Sequence, residues 1–221
     1  MKRFLILLSA CCLPLALYGQ EKAVKDIPDE VFYLMPSFTQ GTVYFHGQSP
    51  AKGKLNICAV DQSLRFLDDN GTELSASDLD IIRRVQMDTV GFLRSDDAFY
   101  RLYPVSPEIG VALKRNVEIL RDVTHGAYGT TSQTSSTREY NTLYTEGSSQ
   151  QLNSSRPRPY VVTETVCVYC RDAVIKLTKA NLKKLFPDRK DEIDARFKSN
   201  KSLPKTVEEA CDLLRLLTSA Q

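Results

Sequence analysis

The chain has 221 residues, with 29 basic and 27 acidic side chains; 42% of it is apolar and 25% charged. That composition excludes a fully disordered chain and a membrane-spanning bundle, and the length suits one or two domains. The charge is uneven: residues 21–123 carry a net −4 and residues 171–221 a net +4, which fits a basic, solvated helical surface at the C-terminus.

Lys2-Arg3 opens an N-terminus whose next fifteen residues, 4–18, carry no charge before Gly19-Gln20 and the charged Glu21-Lys22. A basic start, an apolar core and a small residue before polar sequence are the parts of a secretion signal. The apolar run is shorter than the ~20 residues that span a bilayer, and Pro14 interrupts it. Cleavage is expected after Gly19, with the mature chain starting at Gln20, although Leu17 is not the usual small residue three positions before the cut. The alternative is a lipobox at Leu8-Ser9-Ala10-Cys11, with Cys11 lipidated and the protein anchored rather than free; against it, apolar sequence continues past Cys11. Both readings export the chain to the periplasm, the outer-membrane surface or the medium. No later segment is apolar enough to cross a bilayer as a helix.

Residues 20–31 form a polar leader, and regular structure is expected from Phe32. Residues 32–123 read as a series of strands. Thr42-Val43-Tyr44-Phe45 is β-branched and aromatic. Leu55, Ile57 and Ala59 alternate with Lys54, Asn56 and Cys58. Leu64 and Phe66 precede Asp68-Asp69-Asn70-Gly71, where Asn-Gly supplies the positive backbone angles of a tight hairpin. Ser77-Asp78-Leu79-Asp80 reads as a short helical turn. Residues 81–87, 90–94 and 99–103 continue the series, with turn residues at Ser95-Asp96-Asp97, and a long alternating run covers 110–123. Residues 124–159 are rich in Ser, Thr and Gly and are expected to be flexible. Residues 160–177 form a hairpin turning near Arg171-Asp172. Two to three helices end the chain: one over 180–186 capped by Thr178, one entered through Pro187, and one opened by the capping box of Thr206 and Glu209. In the last helix Val207, Ala210, Cys211, Leu214 and Leu217 share one face. The fold class expected is α+β: a curled, barrel- or sandwich-like antiparallel sheet, then a β-hairpin and the C-terminal helices.

Several segments fall into a familiar order: Tyr33-Leu34-Met35-Pro36-Ser37-Phe38, Gly41-Thr42-Val43-Tyr44-Phe45, Gly53-Lys54-Leu55-Asn56, Leu64-Arg65-Phe66-Leu67-Asp68, Gly126-Ala127-Tyr128-Gly129-Thr130-Thr131-Ser132 and Leu185-Phe186-Pro187-Asp188-Arg189-Lys190-Asp191-Glu192-Ile193. Across nearly all of the mature chain this resembles a family of exported proteins of unknown function, widespread in Bacteroidetes. The resemblance implies an envelope or secreted protein with a β-rich front and a helical end. It implies no activity, carries no catalytic residue onto this sequence, and places Cys167 and Cys170 at ordinary strand positions.

Four cysteines remain after cleavage: Cys58, Cys167, Cys170 and Cys211. An oxidising compartment permits disulfides, and the sequence leaves all three complete pairings open. Cys167-Val168-Tyr169-Cys170 has the spacing of a redox pair, but such pairs sit at helix starts, where the dipole lowers a thiol pKa. Here the text is strand-like, and residues three apart point to opposite faces. Zinc would need four ligands, and the spacing of His46 and His125 relative to the cysteines supports none. Neither histidine lies beside a nucleophile motif, and Gly-x-Ser-x-Gly and phosphate-cradling glycine loops are missing. The Asp68–Gly71 run fails the calcium-loop pattern, which would need acids where Phe66 and Ser77 stand. Asp88-Thr89-Val90 resembles an O-glycosylation site at Thr89. Phe32, Tyr33, Phe38, Tyr140 and Tyr144 form either a partner-binding patch or the closure of the sheet's open ends. No cofactor or metal is expected. The function expected is a non-enzymatic binding or structural module of the envelope, its partner an envelope protein or a glycan, with export arguing against nucleic acid. The alternative is a cysteine-dependent redox protein or a hydrolase whose site the sequence does not reveal.

Overall fold

The computed structural model describes residues 27–120, 142–145, 148–151, 159–198 and 202–219. The signal segment with Cys11, and most of residues 124–159 including His125, Tyr128 and Tyr140, lie outside the described residues.

After a single helical turn, α1 (Asp29–Phe32), come β1 (Thr39–Phe45), β2 (Ala51–Ile57), β3 (Leu64–Leu67), β4 (Glu73–Ser75), β5 (Ile82–Met87), β6 (Val90–Ser95), β7 (Ala98–Pro104) and β8 (Ile109–Ile119). Next are β9 (Thr142–Thr145) and β10 (Ser148–Gln151), which pair with each other, then β11 (Tyr160–Cys170) and β12 (Ala173–Lys176). Three helices follow: α2 (Lys179–Leu185), α3 (Lys190–Lys198), which is entered through a 3-10 turn at Pro187–Arg189, and α4 (Val207–Thr218). Ten strands form one antiparallel sheet in the order β12-β11-β8-β7-β6-β5-β1-β2-β3-β4, curled but not closed. The architecture is thus the expected α+β arrangement of a β-rich front and a helical end. No helix among the described residues is long and apolar enough to cross a membrane.

The sheet is two meanders joined where β1 lies beside β5. Its tight turns are built on aspartates and one arginine in left-handed backbone: Asp88 (φ 49°), Asp96 and Asp97 (φ 48° and 59°) and Arg171 (φ 55°). Asp tolerates this region better than most residues, and two consecutive positive φ angles match the right-handed twist of a hairpin. Residues 77–80 carry no helical turn, and the text between Gly71 and them supplies the three-residue strand β4 instead.

Ladder pairing fixes which side chains share a face. Val43, Leu55, Ile57, Leu64, Val85, Met87, Phe92 and Phe99 stand on one face, here the front, and pack into a core inside the β1–β7 curl. Farther along the same face, Ile109, Val111 and Val168 meet the helices through Leu177, Leu182, Ile193, Ala210, Leu213, Leu214 and Leu217. On the back face Leu93, Tyr100, Ala112, Cys167 and Tyr169 form another core. It is closed because β12 turns back toward β6, with Arg83 and Asp172 meeting at 3.5 Å across that approach. The front face is therefore buried in both halves of the sheet and the back face in the second, and β6 contributes to both the front and the back core, so its neighbours Phe92 and Leu93 are both fully buried. Each fully buried leucine, isoleucine or phenylalanine contributes about 1.5–3 kcal/mol.

The helix ends follow the sequence closely. Thr178 accepts a hydrogen bond from the Asn181 amide and Thr206 from the Glu209 amide, both at 3.2 Å. The reciprocal bond of the capping box is displaced by one residue: the Glu209 carboxylate accepts from the Lys205 amide rather than from Thr206.

Two buried amides lock the irregular segments; Asn56 and Cys58 are buried, as are Leu55, Ile57 and Ala59, with which they alternate. Asn56 Oδ1 accepts from the Met35 and Ile57 amides, and its Nδ2 donates to the Met35 carbonyl, so the Tyr33–Phe38 lead-in is pinned to β2. Gln62, in left-handed backbone, accepts from the Phe99 amide and donates to the carbonyls of Ala59 and Arg115. It fills the gap where β7 and β8 part beyond the Tyr100–Lys114 pair. The Val117 amide then donates to Ala59, so the loop 58–63 replaces β7 as the neighbour of β8.

Candidate functional site

The sequence-derived candidates are scattered rather than gathered. Cys167 lies in the back-face core, whereas Cys170 packs against the front-face helix core, as residues three apart in a strand must. Cys211 belongs to that same helix core, and Cys58 is fully enclosed beside Tyr33, with which it forms a β-bridge. All four described cysteines are free thiols. Burial pushes the Cys58 thiol up to about 11, and its bond to the Asp61 carboxylate adds to that. Burial also raises Cys167 and Cys211. A nucleophilic or metal-binding cysteine needs the opposite shift. Among the described residues no three of His, Cys, Asp and Glu cluster as metal ligands.

These shifts have a measurable sign. A thiol whose folded pKa lies above its unfolded value stabilises the fold fully below the unfolded value and loses that contribution as pH rises through the folded one. For Cys58 the window is pH 9 to about 11. Urea unfolding in steps across that range should show stability falling, and Cys58→Ser, which keeps a donor to Asp61 but does not titrate, should flatten the decline. An identical alkaline limb in the two proteins would exclude Cys58 as its source.

Near Cys58 lies a dense polar network. Ser63 donates to Asp61 at 2.5 Å and accepts from Arg65 Nε at 2.7 Å, while Arg65 also pairs with Asp61. Burial alone would raise the Asp61 pKa, but the bonds from Ser63 and Cys58 and the charge of Arg65 outweigh it and hold it low. Tyr33 donates to Glu73 at 2.7 Å, and burial followed by that bond raises the phenol's pKa. The Ser63 hydroxyl is committed to a carboxylate and a guanidinium, with no imidazole beside it among the described residues, so the network reads as a closed structural brace. Phe32 and Phe38 pack edge-on against Tyr33 at 4.8 and 5.4 Å. His46 is exposed after β1, and Thr89 is exposed in the β5–β6 turn. Asp68 spends Oδ1 on the amides of Asn70 and Thr72 inside its own turn.

A concave feature lies instead at β1 and β5: a depression of about 270 Å³ lined by Tyr44, Arg83, Arg84 and Gln86. Tyr44 and Arg84 are cross-strand partners, and Gln86 lies two residues along the same face of β5. Gly91, opposite Gln86 on β6, lies close beside two of these side chains: a Cβ there would stand 3.0 Å from Arg84 Nη2 and 3.2 Å from Gln86 Oε1. Arg83 and Arg84 are both exposed. Lys52 and Lys54 extend the same face on β2 through their pairing with Thr42 and Gln40, and both are exposed. The surface is cationic, with one aromatic ring and one amide, and its lining contains no carboxylate, thiol or imidazole. Sequence patterning does not reveal this site. Tyr44 and Arg84 lie forty residues apart, and only the ladder register brings them together. The adjacent Arg83-Arg84 in strand-like text signals no more than cations on both faces.

Comparison with family models, curated proteins and solved structures found no match.

Proposed function

We propose that the protein is an exported, non-enzymatic binding module of the cell envelope that holds an acidic glycan in the Tyr44–Arg84 depression. The observation that carries the reading is the composition of that depression. Arg84 provides a forked donor for a carboxylate or phosphate, Arg83, which already pairs with Asp172 at 3.5 Å, adds positive charge beside it, and an aromatic ring suits the flat face of a sugar. Its volume lies just below the ~300–1,000 Å³ of small-molecule pockets, so it accommodates one sugar unit while Lys52 and Lys54 meet the acid groups of neighbouring units. The secretion signal and the resemblance to exported Bacteroidetes proteins support placing this activity in the envelope. The raised thiol pKa values and the saturated Ser63 network give no support to the redox and hydrolase alternatives.

The test is affinity electrophoresis of the mature chain in gels containing polygalacturonate, with uncharged dextran as the control. Retardation by polygalacturonate alone is expected, weakening with salt. Arg84→Ala should weaken it about tenfold, the worth of one charge-assisted contact. Gly91→Ala, which lifts the arginine from its seat, should act the same way with little change in thermal stability. Equal mobility in the two gels, or an Arg84→Ala variant retarded like the parent, refutes the proposal.

A further inference from the structure

β11 pairs with β8 along its entire length, from Tyr160 opposite Ile119 to Cys170 opposite Ile109. β12 covers its other side only from Cys167 to Cys170. Among the described residues the outer edge from Tyr160 to Val166 is therefore an unpaired ladder of seven residues, Tyr-Val-Val-Thr-Glu-Thr-Val. Its apolar side chains are open: Val161 is 46% exposed, and Tyr160 and Val162 are each 38% exposed. Open edges are ordinarily blunted by lysine, proline, a bulge or extreme shortness. The opposite edge of the sheet, β4, has only three residues. The β11 edge carries none of these devices, and its register with β8 runs without a shift.

We propose that this edge pairs antiparallel with the same edge of a second copy of the chain, about a twofold axis through Thr163. The occupant is argued from self-complementarity. In that register Thr163 faces its own copy, Val162 faces the copy's Glu164, Val161 faces Thr165, and Tyr160 faces Val166. Threonine pairs and aromatic–β-branched pairs are favourable across strands, whereas like charges directly opposite are not. Glu164 is the one charge in the run; it meets valine, not its twin, and stands 3.9 Å from Arg115 of its own chain. The lengths agree as well. The copy's Pro159, which precedes its strand, falls opposite Cys167, where β12 begins to occupy the edge through its Lys176 partner. The next residue after β12, Leu177, turns into the helix core and clears the gap. A strand of seven residues thus fills a gap of seven, and its proline, lacking a donor, stands where no further rung is available. A closed twofold contact of this kind is self-limiting.

Sedimentation velocity of the mature chain across the micromolar range tests the proposal, with a dimer as the expected result. The pair Val161→Lys and Val162→Lys, at exposed positions, should return a monomer with an unchanged thermal melt. Thr163→Cys should yield a covalent dimer under mild oxidation, while Tyr160→Cys should not, because only position 163 lies on the axis. A monomeric wild type would overturn the proposal. A dimer indifferent to the lysine pair would equally overturn it by placing the contact elsewhere.

Discussion

Replacing Gln62 by alanine is expected to lower the unfolding free energy by about 2–4 kcal/mol, since it leaves buried backbone groups without partners. The side chain is 6% exposed and serves as a substitute rung between β7 and β8: Phe99 N–H donates to Oε1 at 3.1 Å, and Nε2 donates to Arg115 at 2.9 Å and to Ala59 at 3.1 Å. Without it the Phe99 amide and the Arg115 carbonyl face each other across a gap that neither strand closes. Loss of the Ala59 contact also loosens the loop that stands beside β8. Gln62→Gly gives a useful comparison, because it loses the same bonds but relieves the left-handed backbone at φ 55°. It should be less destabilising than alanine. Urea unfolding at constant m-value makes the measurement, and an alanine variant with the parental midpoint would show that water substitutes fully for the amide.

Gly110→Ala is expected to cost at least about 3 kcal/mol, in the range reserved for overpacking in a core. A Cβ at this position would stand 2.4 Å from the Tyr103 carbonyl oxygen and 2.6 and 2.9 Å from the Tyr169 ring. The first is backbone of the paired strand, since Gly110 lies opposite Pro104 and Tyr103 opposite Val111. It cannot yield without breaking the ladder on which α4 rests. Tyr169 covers the glycine from its own strand and belongs to the back-face core, so moving it opens that core too. Gly53→Ala is the control: its nearest neighbour would be a leucine methyl at 3.7 Å, an ordinary contact, and its effect should be small. If the two alanine variants melt together, the close approach at Gly110 is relieved by a small shift of β7 and β8.

The architecture was legible where it depends on local pattern. Hairpin turns at Asp96-Asp97 and Arg171-Asp172, the caps at Thr178 and Thr206, and the helical face of Ala210, Leu214 and Leu217 are all written in neighbouring residues. What the sequence concealed is what the register decides. Asn56 alternates with apolar residues in its strand, yet the lead-in segment folds over it and its amide binds Met35 on both sides. The helical turn expected over 77–80 did not form, because Ile82 N–H closes back onto Leu79 within a turn while Leu64 takes the Ala76 amide in extended chain. Alternation cannot reveal that both faces of β6 are buried, since Phe92 packs with strands β1 to β7 and Leu93 with the distant strands β11 and β12. The Tyr44–Arg84 depression was hidden because it joins β1 and β5, which lie side by side although three strands separate them in the chain.

The pairing of β8 with β11 also sets an order of assembly. Strands β5 to β8 are joined by short turns, so their contacts are local and their rungs form early. β11 must instead return across the whole connection from Leu120 to Pro159, whose closing hydrogen bond runs between those two residues. Loop closure of that length must be met before any rung rewards it, although the cost grows only slowly with length. Once the ends meet, eleven residue pairs zip without a register shift, and β12 and the helices arrive with them. Until that moment the outer edge of β8 and the apolar residues Ile109 and Val111 stand open. Newly made chain is therefore most prone to clump during the interval between completing the first eight strands and recapturing β11.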